Sequence, residues 1–408
     1  MHTQTVVIGG GQAGLAMSAS LAAHGVEHVV IERGRIANAW RTARWDSFRL
    51  LSPNWMTRLP GYQYDGSDPD GYMKTSELLQ FFETYAARID APVEEHTRVR
   101  AVRRRDEGFE IATEHGYWTA DSVVIATGSN SSPRIPAFAS ALDADIAQFT
   151  AATYRRPAQL GEGTVLVVGA SATGAQLATE LRASGHEVVI AVGHHVRLPR
   201  RYRGADVLAW LDRTGVFDDP ASAVKDIAAA RRRPSLQIVG SVPPRDLDLN
   251  TLQRDGVRLT GRLLGAEGRR LMFADDLQAT AADAEAALDA TLARIDPGAD
   301  AAGAPPATRP EPLRVPTTPT LLDARAENIT SVIWATGFST QYPWLHIPVL
   351  DEHGAIRQVA GITAVPGLYT IGLRFQRVRR SNFIDGVGAD ARLLAAHIAA
   401  RLRVRAAA

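Results

Sequence analysis

The N-terminal stretch TVVIGGGQAGLAMSASLAA, residues 5–23, constrains the possible folds of this chain more than any other segment. An apolar run ends at Ile8, a helical pattern follows, and the turn between them has the spacing G-x-G-x-x-G in Gly9, Gly11 and Gly14. In such a unit the first glycine permits a tight turn, the second lets a pyrophosphate approach the backbone, and the third lets the helix pack closely on the strand. The free amides at the helix N-terminus attract that pyrophosphate. The segment therefore predicts a dinucleotide site in an α/β fold.

An acidic residue follows this turn at the distance expected of a ribose contact. A second apolar run, residues 28–31, ends at Glu32, about 20 residues beyond the glycines. Its carboxylate can accept hydrogen bonds from ribose hydroxyls, and an acid at this position favours FAD or NAD over NADP. Strand, turn, helix, second strand and acid together are more specific than the glycine spacing alone.

A second segment, TVLVVGASATGAQLATEL at residues 164–181, repeats the pattern with Ser171 in place of the middle glycine. We interpret this serine as a tolerated variant, since its hydroxyl can donate to a phosphate oxygen. The next predicted strand, residues 187–192, is followed by a basic loop and no acid. Guanidinium groups bind phosphate bidentately, so this loop favours NADP, while a solvated basic loop is the alternative. The candidate phosphate ligands in the loop are Arg197, Arg200 and Arg201.

Two further strands end in Ala-Thr-Gly, namely SVVIATGS at residues 122–129 and SVIWATGF at residues 331–338. The repeated devices suggest that one dinucleotide-binding domain is inserted into another. We predict a first part of an FAD domain over 1–158, an NADPH domain over 159–325 with a helical and hairpin insertion at about 204–320, and a return segment of the FAD domain over 326–408.

The order of these motifs resembles that of the flavin-containing monooxygenase-like flavoproteins of class B. The stretch AWRTARWDSFRLLSPNWMTRLPG, residues 39–61, adds a Trp-Arg pair and a Ser-Pro turn, which line the flavin in such enzymes. The resemblance implies an α/β fold of two Rossmann-like dinucleotide-binding domains, with the NADPH domain inserted into the FAD domain. It also implies that NADPH reduces the flavin, and that a C4a-(hydro)peroxyflavin transfers one oxygen atom to a small organic substrate by N- or S-oxygenation or by a Baeyer–Villiger type reaction.

Two alternatives to this activity stay open. The family's fingerprint between the nucleotide turns carries a histidine that is missing from residues 145–157, which favours an NADPH-dependent flavoprotein reductase or oxidase without oxygen transfer. The other alternative is a non-catalytic, redox-sensing flavoprotein.

The motifs and the resemblance together give the following site residues. The expected FAD-binding residues are Gly9, Gly11, Gln12, Ala13, Gly14, Glu32, Arg33, Trp40, Arg41, Ser52, Pro53, Val99, Ala126, Thr127, Gly128 and Asp385. The expected NADPH-binding residues are Gly169, Ser171, Ala172, Thr173, Gly174, Arg197, Arg200 and Arg201. Asn54 and Asp385 are the candidate catalytic residues. Of the arginines before the flavin loop, Arg374, Arg377, Arg379 and Arg380, one or more can face an anionic substrate or the flavin, with a surface role as the alternative.

Composition excludes several other chemistries. The 408 residues contain no cysteine, which excludes disulfides, thiolate metal sites and the dithiol that reductases of this architecture need. The formal net charge of +1 provides no field for nucleic acid or a membrane surface, and no apolar run reaches the ~18 residues of a membrane span. We expect a cytoplasmic enzyme with a small-molecule substrate and O2, no metal, no nucleic-acid or membrane partner, and a possible homodimer.

Overall fold

Strands and helices alternate along much of the chain, and the computed structural model describes residues 1–129 and 132–407. The strands are, in chain order, β1 (His2–Ile8), β2 (His28–Ile31), β3 (Arg58–Leu59), β4 (Tyr62–Gln63), β5 (Val93–Glu94), β6 (Val99–Arg104), β7 (Phe109–Thr113), β8 (Gly116–Ile125), β9 (Ser132–Pro133), β10 (Ala147–Thr150), β11 (Thr164–Val168), β12 (Glu187–Ala191), β13 (Val196–Arg197), β14 (Arg201–Tyr202), β15 (Ala205–Asp206), β16 (Leu236–Gln237), β17 (Arg258–Thr260), β18 (Leu263–Glu267), β19 (Arg270–Phe273), β20 (Leu321–Asp323), β21 (Ile329–Trp334), β22 (Phe338–Ser339) and β23 (Leu368–Thr370). The α-helices are α1 (Gln12–Ala23), α2 (Asn38–Thr42), α3 (Thr75–Arg88), α4 (Ala172–Ala183), α5 (Val207–Arg213), α6 (Ile227–Arg232), α7 (Leu249–Arg254), α8 (Leu277–Ala301) and α9 (Val387–Ala407).

The first sheet is built around β1, which pairs in parallel with β2 on one side and with β8 on the other. Strand β23 joins β8 in parallel, and β6, β7 and β8 form an antiparallel meander. Because successive side chains of a strand point to opposite faces, Val7 and Val124 pack in the core that includes α1 and α9. Val6 and Ile125 pack on the other face, against apolar side chains from residues 342–356. The sheet is thus buried on both faces, which explains its continuous apolar runs.

The second sheet is entirely parallel, in the order β10-β21-β11-β12-β17. Val167 and Ile190 face the core that includes α4, and Leu166 and Val332 face the small antiparallel sheet β18-β19-β20. Both sheets therefore carry their glycine turn at the carboxyl end of a central parallel strand, where open α/β sheets bind ligands. The α/β prediction with two Rossmann-like units is confirmed.

Sheet membership extends the second unit beyond its predicted range of 159–325, because β10 and β21 belong to its sheet. Within the predicted insertion, β17 also belongs to this sheet, whereas α8 packs over α5 and β13. The domain limits stay a prediction, and the sheets favour limits near residues 147 and 334.

The chain crosses between the two units at two adjacent places. Strands β9 and β22 pair antiparallel, with Phe338 opposite Pro133 and Ser339 opposite Ser132. The amide of Arg134 also donates to the carbonyl of Gly337 at 2.9 Å. The outgoing and returning segments thus form one short ribbon. Among the described helices, none is both long and apolar enough to cross a bilayer.

Candidate cofactor and substrate site

The first glycine turn leaves room for a ligand at one glycine and no room for a side chain at the other two. Gly9 has φ +113°, and a Cβ there would lie 2.6 Å from the carbonyl oxygen of Ala126. A Cβ on Gly14 would lie 1.8 Å from the carbonyl oxygen of Gly9. At Gly11 a Cβ would meet nothing within 4 Å, and no side chain caps the N-terminus of α1. The open space beside uncapped helix amides fits the approach of a pyrophosphate.

Glu32 is held in position at the end of β2 by backbone amides. Its carboxylate accepts hydrogen bonds from the amides of Gly10 at 2.8 Å and Gly34 at 3.0 Å, and the side chain is buried. The carbonyl of Glu32 accepts from the amide of Thr97, which brings the half-buried Val99 close behind it. The arrangement suits a ribose and its adenine, while Arg33 points to solvent.

The second turn has the same construction as the first. Gly169 has φ +107°, and a Cβ there would lie 2.6 Å from the carbonyl oxygen of Ala335. A Cβ on Gly174 would lie 1.7 Å from the carbonyl oxygen of Gly169. The alanines of the two Ala-Thr-Gly segments thus have equivalent places. Ala126 packs against Gly9 of the first turn, and Ala335 packs against Gly169 of the second.

Ser171 occupies the middle position of this turn without backbone strain. Its φ and ψ are −73° and −176°, close to the −87° and −170° of Gly11, and any residue adopts such an extended conformation. The Ser171 hydroxyl makes no capping hydrogen bond to α4. The serine therefore does not disqualify the turn, and its hydroxyl is available to a ligand.

A cavity of about 1160 Å³ lies between the two units and receives residues from both. Gln12 lines it from the first turn, and Gly169, Ser171, Ala172 and Thr173 line it from the second. Many of the other lining side chains are apolar or aromatic, including Phe48, Phe217 and Phe383. The two turns therefore open onto one shared space, which apolar and charged side chains both line.

The Trp-Arg pair divides between the cavity and the surface of the first unit. Trp40 lines the cavity, and its indole nitrogen donates to the side-chain oxygen of Gln12 at 3.1 Å. Arg41 instead pairs with Glu83 of α3 at 2.6 Å. Ser52 also lines the cavity, and Pro53 is buried beside it. Trp40 thus connects the first turn to the cavity, and a role of Trp40 and Ser52 in binding FAD stays a prediction.

Asn54 is buried just beyond the Ser-Pro turn. Its side-chain nitrogen donates to the carbonyl of Asp68 at 2.9 Å, and its side-chain oxygen has no partner among the described residues. It does not line the cavity in this conformation. A catalytic role for Asn54 stays a prediction.

Asp385 lies two residues before the start of α9, with its carboxylate buried between two arginines. Arg58 approaches it at 3.3 Å and Arg380 at 3.1 Å, yet its Oδ1 atom has no partner among the described residues. Burial raises the pKa of Asp385, and the charges of Arg380 and Arg58 oppose that rise. Arg380 also pairs with Asp212 of α5, which ties this loop to the second unit. An unsatisfied buried oxygen here fits a hydroxyl of a bound cofactor.

The structure corrects the prediction that Arg197 and Arg200 bind phosphate. Arg197 is buried, pairs with Asp248 at 2.7 Å, and also contacts Glu285. Arg200 is 1% exposed and is held by Asp206 and the carbonyl of Leu51. Their guanidinium groups are already neutralised, so neither is free for a ligand.

Arg201 is exposed, donates to the carbonyl of Gly204 within its own turn, and does not line the cavity. Two basic side chains that line the cavity, and that sequence reasoning did not select, lie nearer the turn. His194 follows β12, and Arg262 follows the neighbouring strand β17, with its side chain 4.0 Å from the Cβ position of Gly193. Their positions after two strands could have indicated both residues from the sequence, because the carboxyl ends of neighbouring parallel strands lie side by side.

The arginines before the flavin loop have different environments. Arg377 pairs with Asp390 and Arg380 with Asp385, whereas Arg374 and Arg379 line the cavity. Arg44 and Arg231 also line it, and the sequence gave no reason to select either. Burial lowers the pKa of Arg44 to about 10 and also lowers the pKa values of Arg231 and Arg374.

Comparison with known proteins agrees with this geometry. A family model described as pyridine nucleotide-disulphide oxidoreductase matches residues 6–212. A protein from Geobacillus kaustophilus named an uncharacterized CzcO-like oxidoreductase is 32% identical over 393 residues, 95% of this chain and 96% of that protein. An indole-3-pyruvate monooxygenase from Oryza sativa subsp. japonica is 31% identical over 210 residues, about half of each chain. The solved structure of a flavin-containing monooxygenase from Stenotrophomonas maltophilia superposes with a TM-score of 0.69 over 98% of this chain and 99% of that chain, at 19% identity, which shows a common fold.

Proposed function

Because the chain belongs to the pyridine nucleotide-disulphide oxidoreductase family, we propose that it is an NADPH-dependent FAD monooxygenase that transfers one atom of dioxygen to a small organic substrate. The chain is a flavin-dependent oxidoreductase, and its cofactors are FAD and a pyridine nucleotide, which we take to be NADPH. We propose in addition that the chain transfers oxygen, that it uses NADPH rather than NADH, and that its substrate is a small organic molecule.

The observation that carries the proposal is the shared cavity between two glycine turns of the same construction. A single turn would serve one dinucleotide, whereas two turns that open onto one space can bring two dinucleotides into contact. FAD fits the first turn, since Glu32 favours an unphosphorylated ribose and Asp385 offers a buried oxygen without a partner. The nicotinamide nucleotide fits the second turn, with Ser171 beside its phosphates.

His194 and Arg262 replace Arg197 and Arg200 as the candidate ligands of a 2′-phosphate. Both line the cavity at the carboxyl ends of β12 and β17, and no acid follows β12 as Glu32 follows β2. Arg262 pairs with Asp276 at 3.4 Å but remains largely exposed, so its guanidinium can also meet a ligand. The proposed nucleotide is therefore NADPH rather than NADH.

When bound, FAD supplies the hydride acceptor and, once reduced, the activation of dioxygen. The protein's own contribution is to bind, to orient and to exclude water. Trp40 and Gln12 hold one another at the cavity end of the first turn. Apolar side chains such as Phe48, Phe217 and Phe383 cover part of the cavity wall and would limit the access of water there. Dithiol chemistry is excluded, because the 408 residues contain no cysteine.

The decisive experiment follows the fate of oxygen. Purified holoprotein should oxidise NADPH faster than NADH, and isotopically labelled dioxygen should appear in the product of a thioether or ketone substrate. Stoichiometric peroxide with no labelled product across a broad substrate panel would identify the reductase or oxidase alternative instead. Negligible oxidation of NADPH would favour a redox-sensing flavoprotein.

A further inference from the structure

The cavity between the two units is strongly electropositive. Nine arginines stand among its described lining residues, against a single carboxylate, that of Asp351. Asp351 is exposed and its carboxylate accepts from the amides of His353 and Ala355 in its own turn. Arg262 pairs with Asp276, and Arg294 and Arg379 share Asp219. The other six cavity-lining arginines form no ion pair with any carboxylate in residues 1–129 and 132–407.

Arg374 differs from the other unpaired arginines because it is half-buried and donates no hydrogen bond within the described chain. Arg44 and Arg231 donate to backbone carbonyls, and the remaining three are exposed. Its guanidinium has no hydrogen-bond or ion-pair partner in the described chain, and burial disfavours its charged form, which lowers its pKa. A half-buried guanidinium without a partner is costly unless an anion compensates it. Arg374 follows Gly372, at which a Cβ would lie 2.7 Å from the Cβ of Ala13. The segment that carries Arg374 therefore passes the N-terminal end of α1, next to the turn at which we propose that FAD binds.

The backbone that presents Arg374 is strained and held in place. Phe375 has φ +48°, a left-handed conformation that bulky residues avoid. Arg231 donates to the carbonyls of Arg374 and Phe375, each at 3.2 Å, and the guanidinium of Arg379 lies over the Phe375 ring at 5.2 Å. Strained backbone of this kind persists where surrounding structure enforces it, commonly at ligand sites. Two further cations thus fix the turn that carries Arg374.

The rest of the lining is suited to an apolar body. Phe48, Phe217, Phe383 and Leu211 all face the same space. A ligand that satisfies both features carries one anionic group and an apolar remainder. The alternative source of an anion is a phosphate group of either dinucleotide. In that case Arg374 would bind a cofactor and not the substrate.

We infer that Arg374, supported by Arg231, binds the anionic group of the substrate, and that the substrates are small organic acids with an apolar body. This inference rests on the proposed function for the identity of the reaction, but the binding it describes can be measured without turnover. Arg374 selects the substrate by charge and anchors its anionic group at the end of the cavity next to the first turn.

The test compares (phenylthio)acetate with its uncharged amide, (phenylthio)acetamide, which differ in charge and share the same sulfur. Their dissociation constants for oxidised holoprotein are measured by calorimetry. The wild type should bind the acid at least about tenfold more tightly than the amide.

Arg374→Ala and Arg374→Gln should abolish this preference by weakening the binding of the acid alone, and Arg374→Lys should retain part of it. Arg103→Ala, an exposed arginine on β6, should leave the preference unchanged. Equal binding of acid and amide by the wild type would overturn the inference.

The same variants separate substrate from cofactor as the source of the anion. FAD content and the dissociation constant of NADP+ should be unchanged in Arg374→Ala and Arg374→Gln. Loss of FAD or weaker NADP+ binding with an intact preference for the acid would assign Arg374 to a cofactor phosphate and overturn the inference. If the acid binds selectively but no labelled oxygen enters any product, the proposed oxygen transfer fails while the anion site stands.

Discussion

The guanidinium group of Arg200 lies over the ring of Tyr72, 4.6 Å from its centre. The same group pairs with Asp206 and donates to the carbonyl of Leu51, so one buried arginine joins the second unit to the first. Arg200→Ala would leave the Asp206 carboxylate without its main partner. We expect a loss of about 3 kcal/mol in the free energy of unfolding, measured by urea denaturation. The ratio of NADPH to NADH activity should not change, and a changed ratio would restore Arg200 as a phosphate ligand.

The choice of nicotinamide nucleotide should instead depend on Arg262 and His194. Removing one phosphate contact lowers affinity by about 10-fold. Arg262→Ala should therefore weaken the binding of NADPH by about that factor and leave the binding of NADH unchanged. The dependence of flavin reduction on nucleotide concentration measures both affinities. His194→Ala should act in the same direction, with a smaller effect. Arg201→Ala is the control, because this arginine belongs to the same basic loop but does not line the cavity. It should change the affinity for neither nucleotide.

The first turn offers a pair of substitutions with opposite outcomes. Gly14→Ala places a Cβ 1.8 Å from the carbonyl of Gly9, so it should disrupt the turn and lower the melting temperature of the apoprotein. Gly11→Ala meets nothing within 4 Å and keeps an allowed backbone, so apoprotein stability should be unchanged or slightly higher. The added methyl group should nonetheless reduce FAD retention. Full retention of FAD by Gly11→Ala would remove the first turn as the pyrophosphate site.

Ser171 supplies a test of the second turn. Its extended backbone needs no glycine, and its hydroxyl makes no capping hydrogen bond, so the hydroxyl is free to donate to a phosphate. Ser171→Gly and Ser171→Ala should each weaken NADPH by about 3- to 10-fold, the typical value of one hydrogen bond. Tighter binding by the glycine variant alone would show that the side chain crowds the pyrophosphate instead.

A pH-dependent contribution to stability should come from Glu180 of α4. Burial raises the pKa of Glu180, and the nearby side chains of Ser47 and Tyr154 only partly offset that rise. The folded state then binds the proton more tightly than the unfolded state. The carboxyl group therefore destabilises the fold as the pH rises above 4.5, the ordinary pKa of a glutamate. Glu180→Gln should therefore gain stability relative to wild type between acidic and neutral pH. Urea denaturation at several pH values measures this difference, which should vanish in acid.

The parts of the site that the sequence predicted are those that depend on local geometry. Gly9 and Gly14 could be assigned because a tight turn and close helix packing impose glycine wherever the motif occurs, and Glu32 follows from the length of the unit. Arg197 and Arg200 could not be assigned correctly, because a basic loop has the same sequence whether its partners are phosphates or distant carboxylates such as Asp248. Arg231 was missed because the cavity gathers segments that are far apart in the chain, and only the tertiary structure brings it against Arg374.

The ribbon formed by β9 and β22 has a consequence for protein engineering. Since Pro133 and Phe338 face each other where the chain leaves and re-enters the first unit, both ends of the second unit meet at one point. A module with adjacent ends can be exchanged without stretching or re-routing the host. Replacing residues 134–337 with the corresponding unit of a relative is therefore a direct way to transplant nucleotide preference while leaving the first sheet and its turn intact.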